Sequence, residues 1–437
     1  MAERRAAALV ARGAAGRAAA VALRATSRPL RAALRSRAAA ALATAALLLV
    51  VAAAGACSHA PAHTVSAVDA DSLIIPFARL AQAYESAHPE VRVETESHGS
   101  IQVIRQVTDL GRSFDVLTSA DAGLVALMME GEGGGAIAAA PTGAPATAAA
   151  ATSATAAAAT SATAAAATSA TAAAATSATK PTADWYAIFA TNRMVLAYSP
   201  HSRYASLFRS GDWIKALTTP GVQFGLADPR FDATGYRALM VLQLAQRYYH
   251  DDHLFADVTV GRLSPPVTVS SRAGVDLIDV PELLDGVSGS GLVLRGASIE
   301  LMALLESGDL DCAFEYESVV RQHHLPFVQL PAQIDLSSQR FAANYARVAV
   351  SIAFQRFATV KPVFAGAPID YAVTIPRTAH DPADAARFIA FLLGLRGRAI
   401  LAADYQPAVT PALVDHFDKL PAVLRPLCAP LKPGQAP

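Results

Sequence analysis

Strand-like and helix-like stretches alternate along most of this chain, and that alternation limits the folds open to it. Val91 to Ser97 alternates polar and apolar residues as a half-buried strand does. Ile101 to Leu110 then carries apolar residues at 101, 104 and 107 and stops at Gly111, and Phe114 to Ser119 reads as a second strand. This is a β-α-β unit. The pattern recurs as strand Phe224 to Asp228 with helix Tyr236 to Tyr249, and as helix Ile299 to Ser307, stopped by Gly308, with strand Cys312 to Tyr316. Tyr371 to Ile375 reads as a further strand, and Pro382 to Ala403 as one long helix with apolar residues at 388, 391, 392, 395 and 399. The expected class is α/β, with parallel-rich sheets flanked by helices.

Two segments lie outside that pattern. Ala38 to Ala56 is almost wholly Ala, Leu and Val, preceded by arginines and followed by Cys57-Ser58, which is the pattern of a secretory signal. Alanine at this density is too weakly hydrophobic to favour a stable membrane span. Cleavage before Cys57 suits a lipoprotein, although Ala54-Gly55-Ala56 lacks the large aliphatic residue usual three places earlier; lipidation of Cys57 stays open. A start codon placed too far upstream explains the long basic leader as well as biology does. Between residues 131 and 180 the composition collapses to Gly, then Ala and Thr, with Thr-Ser-Ala-Thr recurring at 152, 160, 168 and 176. Alanine alone cannot build a packed core at that period, so this reads as a surface insertion. Without leader and insertion about 330 residues remain, enough for two α/β lobes.

Composition then excludes several functions. The 437 residues carry 36 basic and 36 acidic side chains, but nine Arg and one Glu fall within residues 1–56. The remainder holds 27 cations against 35 anions and offers no basic stripe for nucleic acid. Cys57, Cys312 and Cys428 are too few and too dispersed for a disulfide framework or a zinc cluster. His250-Asp251-Asp252-His253 resembles a metal cluster but reads as a solvated loop without a third ligand, and His323-His324 is a weaker case of the same kind. No Ser-His-Asp or Cys-His arrangement is evident, so an enzyme is not expected and no cofactor is called for.

A different constellation stands out. Ser72 precedes Leu73-Ile74, Ser100 precedes Ile101, Thr234 lies two places before Tyr236, and Ser298 precedes Ile299. Each reads by itself as a helix N-cap. Together they mark helix starts, whose free backbone N–H groups and positive dipole end hold small anions without Lys or Arg. In parallel α/β sheets these starts gather at the carboxyl ends of the strands, where ligands bind.

The stretches Asp71 to Phe77, Ser97 to Ser100 with Thr108 to Gly111, Asp184 to Tyr186 with Phe189 to Asn192, Asp228 to Arg237, Leu304 to Tyr316 and Tyr371 to Pro376 together resemble the periplasmic tungstate/molybdate-binding proteins of ABC transporters. The resemblance runs from about Asp69 to Gln406. It implies a two-lobed periplasmic binding protein fold of type II, with the oxyanion in a cleft between lobes and a membrane permease as partner of a monomer. Ser72 and Ser100 match the serines that hold oxyanion oxygens, and Tyr316 matches the binding tyrosine. Asp232-Ala233-Thr234 matches the Asp-Pro-Cys turn whose aspartate binds the metal centre of the oxyanion in the tungstate-selective branch. Read from residues alone, Asp232 is an Asx turn before the helix at Tyr236. Ser298 stands where the family commonly places a second carboxylate, and Glu300, two places on, does not share its helix face. Asp71 stands where the family has glycine, bringing negative charge close to a dianion.

The expected organisation is a leader over 1–56, a first lobe begun at 58–130, the insertion at 131–180, and first lobe with hinge at 181–195. A second lobe at 196–368, a return to the first at 369–411 and a tail at 412–437 complete it. The expected function is capture of tungstate or molybdate by an exported or periplasmic receptor. The alternatives are a receptor for another small anion such as sulfate, or an exported metal-binding protein or enzyme.

Overall fold

The computed structural model describes residues 63–130, 180–353 and 362–432. The leader, Cys57 and nearly all of the alanine-threonine insertion lie outside them. Two mixed sheets organise the rest. In the first, seven strands run in the order Cys428–Pro430, Ala408–Val414, Ala187–Asn192, Ile369–Thr374, Val116–Ser119, His63–Ala70 and Val91–His98. His63–Ala70 pairs in parallel with both of its neighbours. In the second, the order is Leu292–Arg295, Phe224–Ala227, Cys312–Tyr316, Met194–Tyr198 and Phe327–Gln329, with the first three strands mutually parallel. A four-stranded sheet, Val363–Ala365, Val348–Ile352, Val275–Val280 and Thr268–Arg272, adjoins the second.

The central strands read as continuous apolar runs because helices cover both faces. Val195, Leu196, Cys312, Ala313 and Phe314 are buried on one sheet, and Val68, Val116 and Val373 on the other. The chain passes between sheets within one residue, since Asn192 ends a strand of the first and Met194 opens a strand of the second. It returns before Ile369, whose N–H bonds the Leu336 carbonyl, beside the bond from Met194 N–H to the Asp335 carbonyl. Residues 408–414 and 428–430 belong to the edge of the first sheet, so the C-terminal stretch is part of this architecture. Cys312 and Cys428 are free and buried.

Two readings from sequence change. Pro382 to Ala403 is two helices, Pro382–Leu393 and Leu395–Ala403, because Gly394 takes an extended conformation and serves as C-cap of one and N-cap of the other. The hydroxyl residues are not N-caps. Gly99 and Ala297 take that position before Ser100 and Ser298, Asp232 takes it before Ala233-Thr234, and Ser72 sits inside a short 3-10 turn, Asp71–Leu73.

The turn from strand Phe224–Ala227 into helix Ala233–Tyr249 depends on Gly235. A Cβ there would lie 2.2 Å from the Ala227 carbonyl oxygen and 2.7 Å from the Pro229 nitrogen, both backbone atoms. Gly235→Ala is therefore expected to lower unfolding free energy by about 1–3 kcal/mol through overpacking. Urea denaturation measures it, and an unchanged midpoint would show that the turn has slack.

Candidate functional site

The strand ends of both sheets deliver their following segments to one interior region. His63–Ala70 leads into Asp71-Ser72, and Val91–His98 leads through Gly99 into helix Ser100–Thr108. From the other lobe come the Asp228–Asp232 turn, the helix Ser298–Ser307 and the end of strand Cys312–Tyr316. The two lobes touch through backbone. The Phe231 carbonyl accepts N–H bonds from Ile101 (3.2 Å) and Gln102 (3.3 Å), two of the free donors at that helix start. Gly99 allows this approach, since a Cβ on it would stand 2.6 Å from the Phe231 oxygen.

All seven residues expected at the site, Ser72, Ser100, Asp232, Ala233, Thr234, Ser298 and Tyr316, are at most 2 % exposed, so the cleft is shut over them. Asp232 accepts the Thr234 N–H with one carboxylate oxygen and the Ser298 N–H with the other, each at 2.8 Å. It is an Asx cap and an inter-helix tie at once. Thr234 Oγ1 lies 3.5 Å from Ser298 Oγ. Ser72 Oγ accepts from the Tyr371 hydroxyl at 3.0 Å, and Ser100 Oγ accepts the Ala120 N–H at 3.0 Å. Tyr316 is held at a further side, its hydroxyl accepting from Arg237 at 2.6 Å.

Asp71 lies inside this group. One of its oxygens accepts the N–H of Ser72 at 2.8 Å; the other accepts from Ser298 Oγ at 3.3 Å and Ile299 N–H at 3.4 Å, across the lobes. Four backbone N–H groups at helix starts thus point at two of the chain's own carboxylates. The arrangement binds anionic oxygen and here supplies it internally. Burial, then the charges of Asp232 and Glu315, push the Asp71 carboxyl well above the usual carboxylate range. Burial likewise pushes Glu315 up to about 8. Glu300, by contrast, is exposed on the first turn of its helix and takes no part.

Three contributors were not among the residues expected from sequence. Arg237 is buried one turn into its helix, bonds the Ala120 carbonyl at 2.7 Å and pairs with Asp121 at 3.0 Å, so a guanidinium stands behind Tyr316. Asn192 donates to the Tyr371 hydroxyl at 3.3 Å and to Ser318 Oγ at 2.8 Å, linking the inter-sheet crossing to Ser72. Glu315 is fully buried beside Tyr316. Each belongs to a stretch that carried the resemblance, but only its contacts give it a place.

Open space lies elsewhere. A cavity of about 420 Å³ is lined by Asp121, Tyr236, Arg237, Phe364 and Asp370, and one of about 550 Å³ by Asn192, Arg193, Glu317, Arg321 and Tyr405. Neither is lined by Ser72, Ser100, Thr234 or Ser298. The metal alternative does not gain from the structure. His250 caps the C-terminus of helix Ala233–Tyr249 with φ 56°, and among the described residues the groups whose ligand atoms approach within 4.8 Å are His63, Asp381 and Asp384, and Glu130, Asp415 and His416. Among the described residues no helix is long and apolar enough to cross a membrane.

The class that these two sheets define, with polar groups of both meeting in a buried interior, is that of two-lobed α/β proteins. The chain is a member of the bacterial extracellular solute-binding protein family, whose model matches residues 136–405. An uncharacterized solute-binding protein of Methanoculleus marisnigri is 34% identical over 358 residues, 82% of this chain and 84% of that one. One from Petrotoga mobilis is 31% identical over 356 residues, 82% and 87% of the two chains. Among solved structures, the Azotobacter vinelandii periplasmic molybdate-binding protein aligns at 14% identity and a TM-score of 0.44, over 78% of this chain and 98% of that chain. At those values it has no bearing on the ligand.

The buried carboxyls make stability depend on pH. Asp69, Glu315 and Asp370 are each raised to about 8, mainly by burial. Unfolding returns them to about 4, so the folded state holds protons that the unfolded state has released. Their contribution is full below about pH 4 and is lost as pH rises towards 8, at up to about 1.4 kcal/mol per pH unit for each group. Unfolding free energy of the ligand-free protein is expected to fall steadily from pH 5 to pH 8. A flat profile would contradict this placement of the carboxyls.

Proposed function

We propose that this chain is the substrate-binding component of an ABC transporter, capturing tungstate or molybdate between its lobes and delivering it to a membrane permease. The observation that supports the reading is the convergence of the segments that bear Ser72, Ser100, Thr234 and Ser298, joined by Asp71 to Ser298, by Thr234 to Ser298 and by the Phe231 carbonyl to the helix start at Ser100. None of the four is a cap; Ser72 and Ser100 accept from Tyr371 and Ala120, which leaves their O–H groups to donate to an oxyanion, while Thr234 and Ser298 would exchange their internal partners for it. Ser72 and Ser100 follow strands of the seven-stranded sheet; Asp232, Ala233, Thr234, Ser298 and Tyr316 follow or end strands of the five-stranded one. Binding closes the cleft about the crossing near Arg193, and closure is what the permease reads. An exported monomer, released by its signal segment and anchored through Cys57 where that residue is lipidated, fits this role.

A carboxylate suits such a site for a chemical reason. Hexavalent tungsten and molybdenum are large Lewis acids that accept an extra oxygen donor, whereas the sulfur of sulfate and the phosphorus of phosphate do not expand in this way. Asp232 therefore repels the latter anions and tolerates the former. Titration calorimetry against tungstate, molybdate, sulfate and phosphate tests the reading. Tungstate or molybdate is expected to bind, with sulfate and phosphate far weaker. Preference for sulfate would make the protein a different kind of anion receptor, and silence towards all four would remove the oxyanion reading. Ser100→Ala is expected to weaken binding by about 1–3 kcal/mol, the range for a hydrogen bond to a charged group.

A further inference from the structure

Asp71 is 3 % exposed and belongs to the lobe opposite Asp232, yet both carboxylates bond the same residue: Asp71 takes the Ser298 hydroxyl at 3.3 Å and Asp232 takes the Ser298 N–H at 2.8 Å. Asp71 also accepts the N–H of Ser72 at 2.8 Å and of Ile299 at 3.4 Å, so it touches a hydroxyl-bearing residue in each lobe. These three neutral groups donate to it, and its carboxyl also lies within hydrogen-bond reach of that of Asp232. The ionisable side chains set against it, Asp232 and Glu315, are acidic, and the nearby guanidinium of Arg237 is taken by Tyr316, Asp121 and the Ala120 carbonyl. A purely structural acceptor needs no charge there, and a carboxylate buried without a cation costs several kcal/mol by general experience of such groups. Glu315 Oε2, in the same interior, is buried with no hydrogen-bond partner, so the polar capacity of this region exceeds what the protein itself satisfies.

We infer that Asp71 is the group by which this chain discriminates among oxyanions, so that the ligand meets one carboxylate from each lobe. The inference rests on the oxyanion reading above. With a hexavalent metal centre between the lobes, an Asp71 oxygen donates a lone pair to the metal, any proton that burial keeps on the carboxyl passes to solvent, and the metal's coordination number rises by one. A sulfate sulfur has no such acceptor capacity, so the carboxylate gains no bond from it.

The test compares wild type, Asp71→Asn and Asp71→Ser by calorimetry with tungstate and with sulfate at pH 8, with Glu300→Gln as an exposed acidic control. Wild type and Glu300→Gln are expected to share one tungstate-to-sulfate affinity ratio, and both Asp71 variants to reduce it at least tenfold. A ratio within twofold of wild type in the Asp71 variants overturns the inference while leaving the oxyanion reading in place. A wild type that binds neither anion overturns both. Because Asp71 also accepts the Ser72 and Ile299 N–H groups, ligand-free melting is measured beside binding; lowered melting with both affinities reduced in equal proportion makes Asp71 a structural carboxyl and also overturns the inference.

Discussion

Asp232 ties together the starts of two helices by accepting the Thr234 N–H with one oxygen and the Ser298 N–H with the other. The rest of the interior is arranged around that double acceptance. It places Ser298 where Asp71 reaches it from the opposite lobe, sets Thr234 beside Ser298, and fixes the end of the turn whose Phe231 carbonyl receives two N–H groups of the first lobe. Removing the carboxylate would leave two buried N–H groups unpaired, each at a desolvation cost of about 1–3 kcal/mol. The contact between lobes is thus built on groups that must be satisfied whether or not a ligand is present.

The same economy explains why the site is not an obvious hole. Helix starts that would grip an anion's oxygens are held by the protein's own carboxylates, and the two cavities described above are lined by other residues. Proton uptake is the physical route by which such an interior tolerates its charge. Burial raises Glu315 to about 8, so that carboxyl is neutral near physiological pH, and burial with the charge of Asp232 pushes Asp71 in the same direction. A neutral carboxyl is also a hydrogen-bond donor, which an oxyanion accepts and a second carboxylate does not repel.

Much of this was legible in the sequence, and what was not has physical causes. Strand and helix identities followed from periodicity, because the parallel strands are covered on both sides and the helices present one apolar face. The hydroxyl residues were found because they stand at helix starts, yet their N-cap role was misread, since capping depends on the backbone angles of the residue before: Gly99 and Ala297 adopt them and Ser100 and Ser298 do not. Pro382 to Ala403 read as one helix because Gly394 leaves no trace in the apolar pattern. Asp71 read as a charge disfavouring a dianion because its partner lies 227 residues away, beyond anything spacing reveals. Arg237 escaped notice for the same reason, its meaning set by Tyr316 on another element.

The claim on which the account depends is that an oxyanion binds where both lobes contribute, within the hydroxyl cluster and not in either open cavity. Crystals of the protein grown with tungstate, with data collected above the tungsten absorption edge, locate the metal directly by its anomalous signal. The account predicts a single strong peak within bonding reach of Ser72, Ser100, Thr234 and Ser298, with carboxylate oxygens of Asp71 and Asp232 beside it. A peak in the cavity beside Arg237 and Asp370, or in that beside Arg193 and Arg321, with the hydroxyl cluster still closed on itself, would contradict it.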